Sequence, residues 1–125
     1  SACVLVIDND MEASELVWRT LVSQGYFVVL THNGRKGLKM AEQLLPDIIL
    51  LSAMIPEPEA GYLLKTLKAH PSLSNTPVIM QSMLADQNQI FSLGATDYVS
   101  KPIDVNQLLT VVGKYQPALQ KSVYF

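Results

Sequence analysis

The sequence is short of the residues that build cross-linked or metal-bound scaffolds. It has one cysteine, Cys3, so no internal disulfide can form. Its two histidines, His32 and His70, each lack a second histidine or cysteine at ligand spacing, which excludes a zinc-type centre. Charge is sparse and nearly balanced, with 9 basic against 11 acidic residues and a formal net charge of −2. Without a basic surplus, neither a nucleic-acid backbone nor an anionic membrane is an expected partner. No apolar run approaches the roughly 20 residues of a membrane helix, and no charged leader precedes a signal-type stretch, so a cytoplasmic location is expected. Trp18, the single tryptophan, and the five methionines show no periodic arrangement of a cofactor box, and no cofactor is expected.

What is present is apolar residue in quantity, 49% of 125 residues, enough to close one hydrophobic core. Short β-rich runs alternate five times with longer helical patterns. The runs are Cys3 to Ile7, Phe27 to Thr31, Ile48 to Leu51, Val78 to Gln81 and Asp97 to Val99, and they read as buried parallel strands. After Asp10, an N-cap, Ala13, Leu16, Val17 and Leu21 recur at helical spacing until Gly25. Asn33 and Gly34 open a second helix in which Leu38, Ala41, Leu44 and Leu45 share a face, closed by Pro46. A third helix starts near Gly61 and ends at His70-Pro71, and a fourth covers about Asp86 to Leu93. Asp104 with Gln107 three residues on resembles a capping box before a last helix with Leu108, Leu109, Val111 and Val112 on its apolar face.

Parallel crossovers must place helices on both sheet faces, so the pattern specifies a flavodoxin-like three-layer α/β/α sandwich with a five-stranded parallel sheet in order 2-1-3-4-5. Residues 1–116 form this domain, and residues 117–125 read as a tail or linker. Functional groups in such sheets gather beyond the carboxyl ends of the strands, here at Asp8, Ser52, Ser82 and Lys101.

The segments VLVIDND, PDIILLSAMIP, PVIMQS and GATDYVSKPID, in this order and spacing, resemble the receiver domain of two-component response regulators over nearly the whole chain. The resemblance implies an acidic pair after the first strand that helps to bind Mg²⁺, an aspartate after the third that accepts a phosphoryl group, and a lysine that contacts it. It also implies a hydroxyl at Ser82, an aromatic switch at Tyr98 and a cis bond between Lys101 and Pro102. That chemistry needs carboxylates: hard oxygen ligands hold Mg²⁺, and an attacking carboxylate forms a labile acyl phosphate.

The sequence departs from that pattern where the chemistry is done. Ser52 stands at the acceptor position, and the acidic pair is Asp8 with Asn9, Asp10 following one place later. Asp8 then faces Lys101 alone, and weak or absent Mg²⁺ binding is expected, with Asp8 and Asp10 its remaining carboxylates. Met83 is expected to crowd the pocket entrance, and the PEPEAG loop to be reshaped, because Gly61 lies one residue further from Pro56 than in the common pattern. The expected function is that of a pseudo-receiver, not an enzyme, acting in phosphorelay-type signalling by phosphorylation-independent protein–protein interaction. The resemblance places its partner, an attached output domain or a second copy, on the fourth helix, fifth strand and fifth helix. One alternative is phosphorylation on a substitute carboxylate such as Asp10, Glu57 or Glu59, which lack the position at the end of the third strand. Another is a haloacid-dehalogenase-type phosphatase, whose later acidic pair is absent after Lys101. Cys3 reads as a buried strand thiol.

Overall fold

Along the first, third and fourth strands successive residues on both faces are buried, which requires cover on both sides of the sheet, whereas the second and fifth, expected as buried strands, are mostly half-buried because each lies at a sheet edge. The computed structural model describes residues 1–83 and 87–117. Five strands form one parallel sheet: β1 (Cys3–Ile7), β2 (Phe27–Thr31), β3 (Ile48–Ser52), β4 (Val78–Ser82) and β5 (Asp97–Ser100), in the order β2-β1-β3-β4-β5. Helices α1 (Met11–Ser23), α2 (Gly34–Leu44), α3 (Ala60–Ala69), α4 (Gln87–Ser92) and α5 (Val105–Lys114) alternate with them. This is the expected flavodoxin-like fold.

The two strand registers feed two cores. Leu5, Ile7, Ile49, Leu51 and Met80 pack with Ala41 of α2, Leu63, Leu64 and Leu67 of α3 and Ile90 of α4. Val4, Val6, Ile48, Leu50, Ile79 and Val99 pack with Val17 and Leu21 of α1 and with Leu108, Val111 and Val112 of α5. Gly37 lets α2 approach β1, because a Cβ there would sit 2.7 Å from Ile7 Cδ1 and 2.8 Å from its Cγ1.

Asp10 caps α1 by accepting from Ala13 N at 3.1 Å, and Asn33 caps α2 by accepting from Lys36 N at 2.8 Å. Other local expectations need correction. Leu45 does not continue the face it was expected to share with Leu38, Ala41 and Leu44: the helix ends at Leu44, Leu45 is left-handed at φ 47°, and Leu44 and Leu45 are both exposed. Gln107 does not close a capping box: Asp104 accepts from Asn106 N and Gln107 N, while Gln107 Oε1 accepts from Ser100 N at 3.1 Å and Ser100 Oγ at 2.8 Å, tying α5 to β5. Cys3 is half-buried at the start of β1, its thiol pushed up by burial and by the nearby Asp47 carboxylate. Asp86, the expected start of the fourth helix, and residues 118–125 of the expected tail lie outside the described residues.

Candidate functional site

The α1/α5-facing register of the sheet changes character at its carboxyl edge. Val4 and Val6 are followed by Asp8, Ile48 and Leu50 by Ser52, Ile79 by Gln81, and Val99 by Lys101. Four apolar columns thus end in four polar side chains, and Asp8, Ser52 and Gln81 are wholly buried. Backbone bonds hold the edge in register: Asp8 N donates to Thr31 O at 3.1 Å, Ala53 N to Gln81 O at 2.8 Å and Lys101 N to Ser82 O at 2.9 Å. The Lys101–Pro102 bond is cis, as is Glu57–Pro58 in the loop above the edge, which the sequence did not signal.

The centre of the cluster is an ion pair. Lys101 Nζ lies 2.9 Å from Asp8 Oδ2 and 3.1 Å from Oδ1, with side-chain exposures of 8% and 0%. Lys101 also makes a long donation of 3.4 Å to Ser52 Oγ, which accepts from Met54 N at 3.2 Å as well. Asp8 Oδ1 further accepts from Asp10 N at 2.9 Å, whereas Oδ2 has the ion pair but no aligned hydrogen-bond donor among the described residues. Asn9 and Asp10 are exposed, and Asp10 Oδ1 serves the cap of α1. Met83 is 63% exposed and lines, with Asp10, Ala13, Leu16 and Lys101, a groove of about 380 Å³ that reaches the cluster from outside.

This arrangement does not fit a bound Mg²⁺. The one buried carboxylate already faces an ammonium, its neighbour Asn9 is neutral, and no group of three or more His, Cys, Asp or Glu side chains able to hold a metal occurs among the described residues. Nor does it form a nucleophile–base pair. Lys101 donates to both Asp8 and Ser52, so its protons are engaged and it offers Ser52 no lone pair, while the Ser52 hydroxyl is sealed from solvent. The buried pair and its hydrogen bonds tie β1, β3 and β5 together.

Sequence reasoning singled out Ser82 and passed over its neighbour Gln81. The run VIMQS reads as an apolar strand, yet alternation from Ile79 puts position 81 in the Ser52 register, and a glutamine there was the available signal. Neither Gln81 Oε1 nor Nε2 has a hydrogen-bond partner among the described residues. Ser82 is half-buried at the end of β4. Tyr98, also half-buried, meets Phe91 of α4 edge to face, with ring centroids 6.4 Å apart and an interplanar angle of 87°. Behind it Asp97 accepts from Tyr115 Oη at 2.8 Å, Tyr98 N at 2.8 Å and Lys114 Nζ at 3.3 Å. Burial pushes the Asp97 carboxyl up, but these donors together outweigh it and hold the group below its ordinary value. Glu57 and Glu59 sit on the loop and at the N-cap of α3 and enter no ion pair among the described residues.

A parallel sheet in this order, with its polar cluster at the carboxyl edge, defines a doubly wound α/β domain of the flavodoxin-like class. The sequence profile of the response regulator receiver domain matches residues 4–113, and the chain belongs to that family of two-component signalling modules. It is 37% identical over 112 residues to the DNA-binding dual master transcriptional regulator RpaA of Synechocystis, covering 87% of this chain but 46% of RpaA. It is 31% identical over 115 residues to the polar-differentiation response regulator DivK of Brucella anthropi, covering 89% of this chain and 94% of DivK. Among solved structures, the receiver domain of Francisella response regulator 1452 matches with a TM-score of 0.83 at 27% identity, over 92% of this chain and 96% of that one. The chain therefore spans about half the length of RpaA and nearly all of DivK. No helix among the described residues is long and apolar enough to cross a membrane.

Proposed function

We propose that this chain is a pseudo-receiver: a receiver domain that takes up no phosphoryl group, catalyses no reaction and signals by binding another protein. The observation that carries the reading is Ser52, wholly buried at the end of β3 where the family resemblance puts the acceptor carboxylate, within 3.4 Å of a lysine already paired with Asp8. A hydroxyl there has no negative charge to attack phosphorus, and the neutralised pocket has little attraction for the metal that phosphoryl transfer requires. The carboxylates of Asp10, Glu57 and Glu59 lie off the end of β3, where in-line geometry is lost.

The binding face proposed from the family pattern is α4, β5 and α5, engaging a partner protein, an attached output domain or a second copy. Phe91 and Val105 are exposed there, and the Phe91–Tyr98 contact gives the face an aromatic centre. The decisive experiment is intact-mass spectrometry after incubation with Mg²⁺ and a small acyl-phosphate donor, run beside a Ser52→Asp variant and a competent receiver. The expected result is an unmodified native chain while the competent receiver gains a phosphoryl adduct. A stoichiometric adduct on the native chain would assign phosphotransfer to a substitute carboxylate and end the proposal.

A further inference from the structure

Helix α1 carries an apolar stripe that the core does not use. Met11, Trp18 and Val22 fall within about 40° of one another around the helix axis. They are 65%, 41% and 39% exposed, while the buried residues of the same helix, Ser14, Val17 and Leu21, point to the adjoining face. Met11 and Trp18 together with Leu30 of β2 line a concavity of about 300 Å³. His32 closes one side, its Nε2 placed 3.3 Å from the Oγ of the wholly buried Ser14, which ties the β2–α2 loop to the helix.

The formally charged side chains that line this concavity are both carboxylates. Glu12 and Glu15 both line it, and among the described residues the only ion pair either makes is Glu15 with Arg19, at 3.8 Å and with both side chains more than 60% exposed. Such a pair is weak and screened, so both carboxylates are available to an incoming cation. An indole beside two carboxylates, next to an exposed methionine and a half-buried leucine, suits a guanidinium or ammonium on an apolar stem: the charge meets Glu12 and Glu15, the stem covers Met11 and Leu30, and the cation stacks on Trp18.

We infer that the α1–β2 concavity is a docking site for a basic amphipathic segment of a partner protein, bound through Trp18, Met11, Glu12 and Glu15. The site is separate from the α4–β5–α5 face and from the Lys101 cluster, and it holds whether or not the chain can be phosphorylated.

Trp18 is the only tryptophan, so its emission reports occupancy directly. The probe is a 14-residue amphipathic helix of leucine and arginine, titrated beside its leucine–glutamate counterpart, with the five methionine methyl groups carbon-13 labelled for NMR. The expected result is a saturable blue shift of Trp18 emission below about 1 mM of the arginine peptide, none with the glutamate peptide, and movement of the Met11 methyl without Met83. The Glu12→Gln/Glu15→Gln variant, which keeps the reporter, is expected to bind about three- to tenfold more weakly and to lose most of the salt dependence. No saturable shift, equal affinity of that variant, or movement of Met83 in place of Met11 overturns the inference. A Trp18 shift that follows protein concentration without peptide also overturns it, since the occupant would then be a second copy.

Discussion

Two regions flanking α1 treat their charges in opposite ways. At the carboxyl edge of the sheet, Asp8 and Lys101 are withdrawn from water and neutralise each other, with the Ser52 hydroxyl beside them. A few residues away on the outer face of α1, Glu12 and Glu15 stand in solvent beside a half-exposed tryptophan and a mostly exposed methionine. The inner region answers its charges internally, and its burial makes it a structural clamp on three strands. The outer one leaves apolar area exposed and its carboxylates answered by no more than the weak Glu15–Arg19 surface pair, the condition under which binding a partner lowers free energy. The same contrast separates the Lys101 cluster from Phe91 and Val105 on the α4 and α5 side.

The clamp is broken most severely by removing one of its charges. Lys101→Met leaves the Asp8 carboxylate buried without a counter-charge, and the expected cost is about 3–5 kcal/mol in urea unfolding. Adding Asp8→Asn to Lys101→Met removes the orphan charge and is expected to recover most of that loss. Equal instability of the single and double variants would mean that the lysine stem, not the pair, holds the edge together.

Gln81 sharpens the contrast from the opposite direction. Its buried amide is the one polar group of the edge with both atoms unpartnered among the described residues. A buried amide left unsatisfied is destabilising, so Gln81→Met, similar in shape and apolar, is expected to raise stability by about 1–3 kcal/mol. A loss of stability on thermal unfolding would show that an internal water satisfies the amide in solution.

The elements of this molecule were legible in the sequence wherever one local cause decides the outcome. The central strands β1, β3 and β4 are buried and therefore mostly apolar, and all five strands fall on the β-rich runs to within a residue at their ends, although the edge strands β2 and β5 are only half-buried. Asp10 and Asn33 cap the helices they precede because an oxygen on a short side chain reaches the next turn's N–H wherever it stands. Reading failed where two causes compete. Leu44 and Leu45 continue an apolar periodicity, but the helix ends at Leu44, Leu45 takes a left-handed conformation ahead of Pro46, and both side chains stand exposed. Gln107 matches a capping box, yet Ser100 presents two donors that attract its carbonyl across the fold. At the site, Asp8, Ser52 and Lys101 could be named from position alone. Their mutual distances, and Gln81 beside them, required knowing which strand registers share a face.

The base of the α4–β5–α5 face offers a gentler test, because Asp97 is a carboxylate held by donors rather than by a single counter-ion. Its pKa lies below the ordinary 3.8, so it contributes stability that is fully present above that value and is lost as pH falls through its folded pKa. Asp97→Asn is therefore expected to cost roughly 1–2 kcal/mol at neutral pH, with the gap to the native chain closing below about pH 4 in acid titration of stability. A gap that stays constant down to pH 2 would remove the charge from the explanation and leave only the geometry of the hydrogen bonds.

The smallest expected effect on stability falls at the exposed apolar residues. Met11→Ser and Phe91→Ser each delete a side chain that is largely or partly in water, at 65% and 44% exposure. Met11 has little apolar contact to lose, so its variant is expected to unfold within about 0.5 kcal/mol of the native chain. Phe91 also gives up the edge-to-face contact with Tyr98, worth roughly 0.5–1.5 kcal/mol, and is expected to lose about that much. The ordering matters more than either value. If both surfaces exist to bind, each variant weakens association with a partner on its own side far more than it weakens folding, whereas Lys101→Met does the reverse. A Met11→Ser chain that unfolds as readily as Lys101→Met would place Met11 in the folding core, and the distinction between a closed inner edge and an open outer face would fail at that residue.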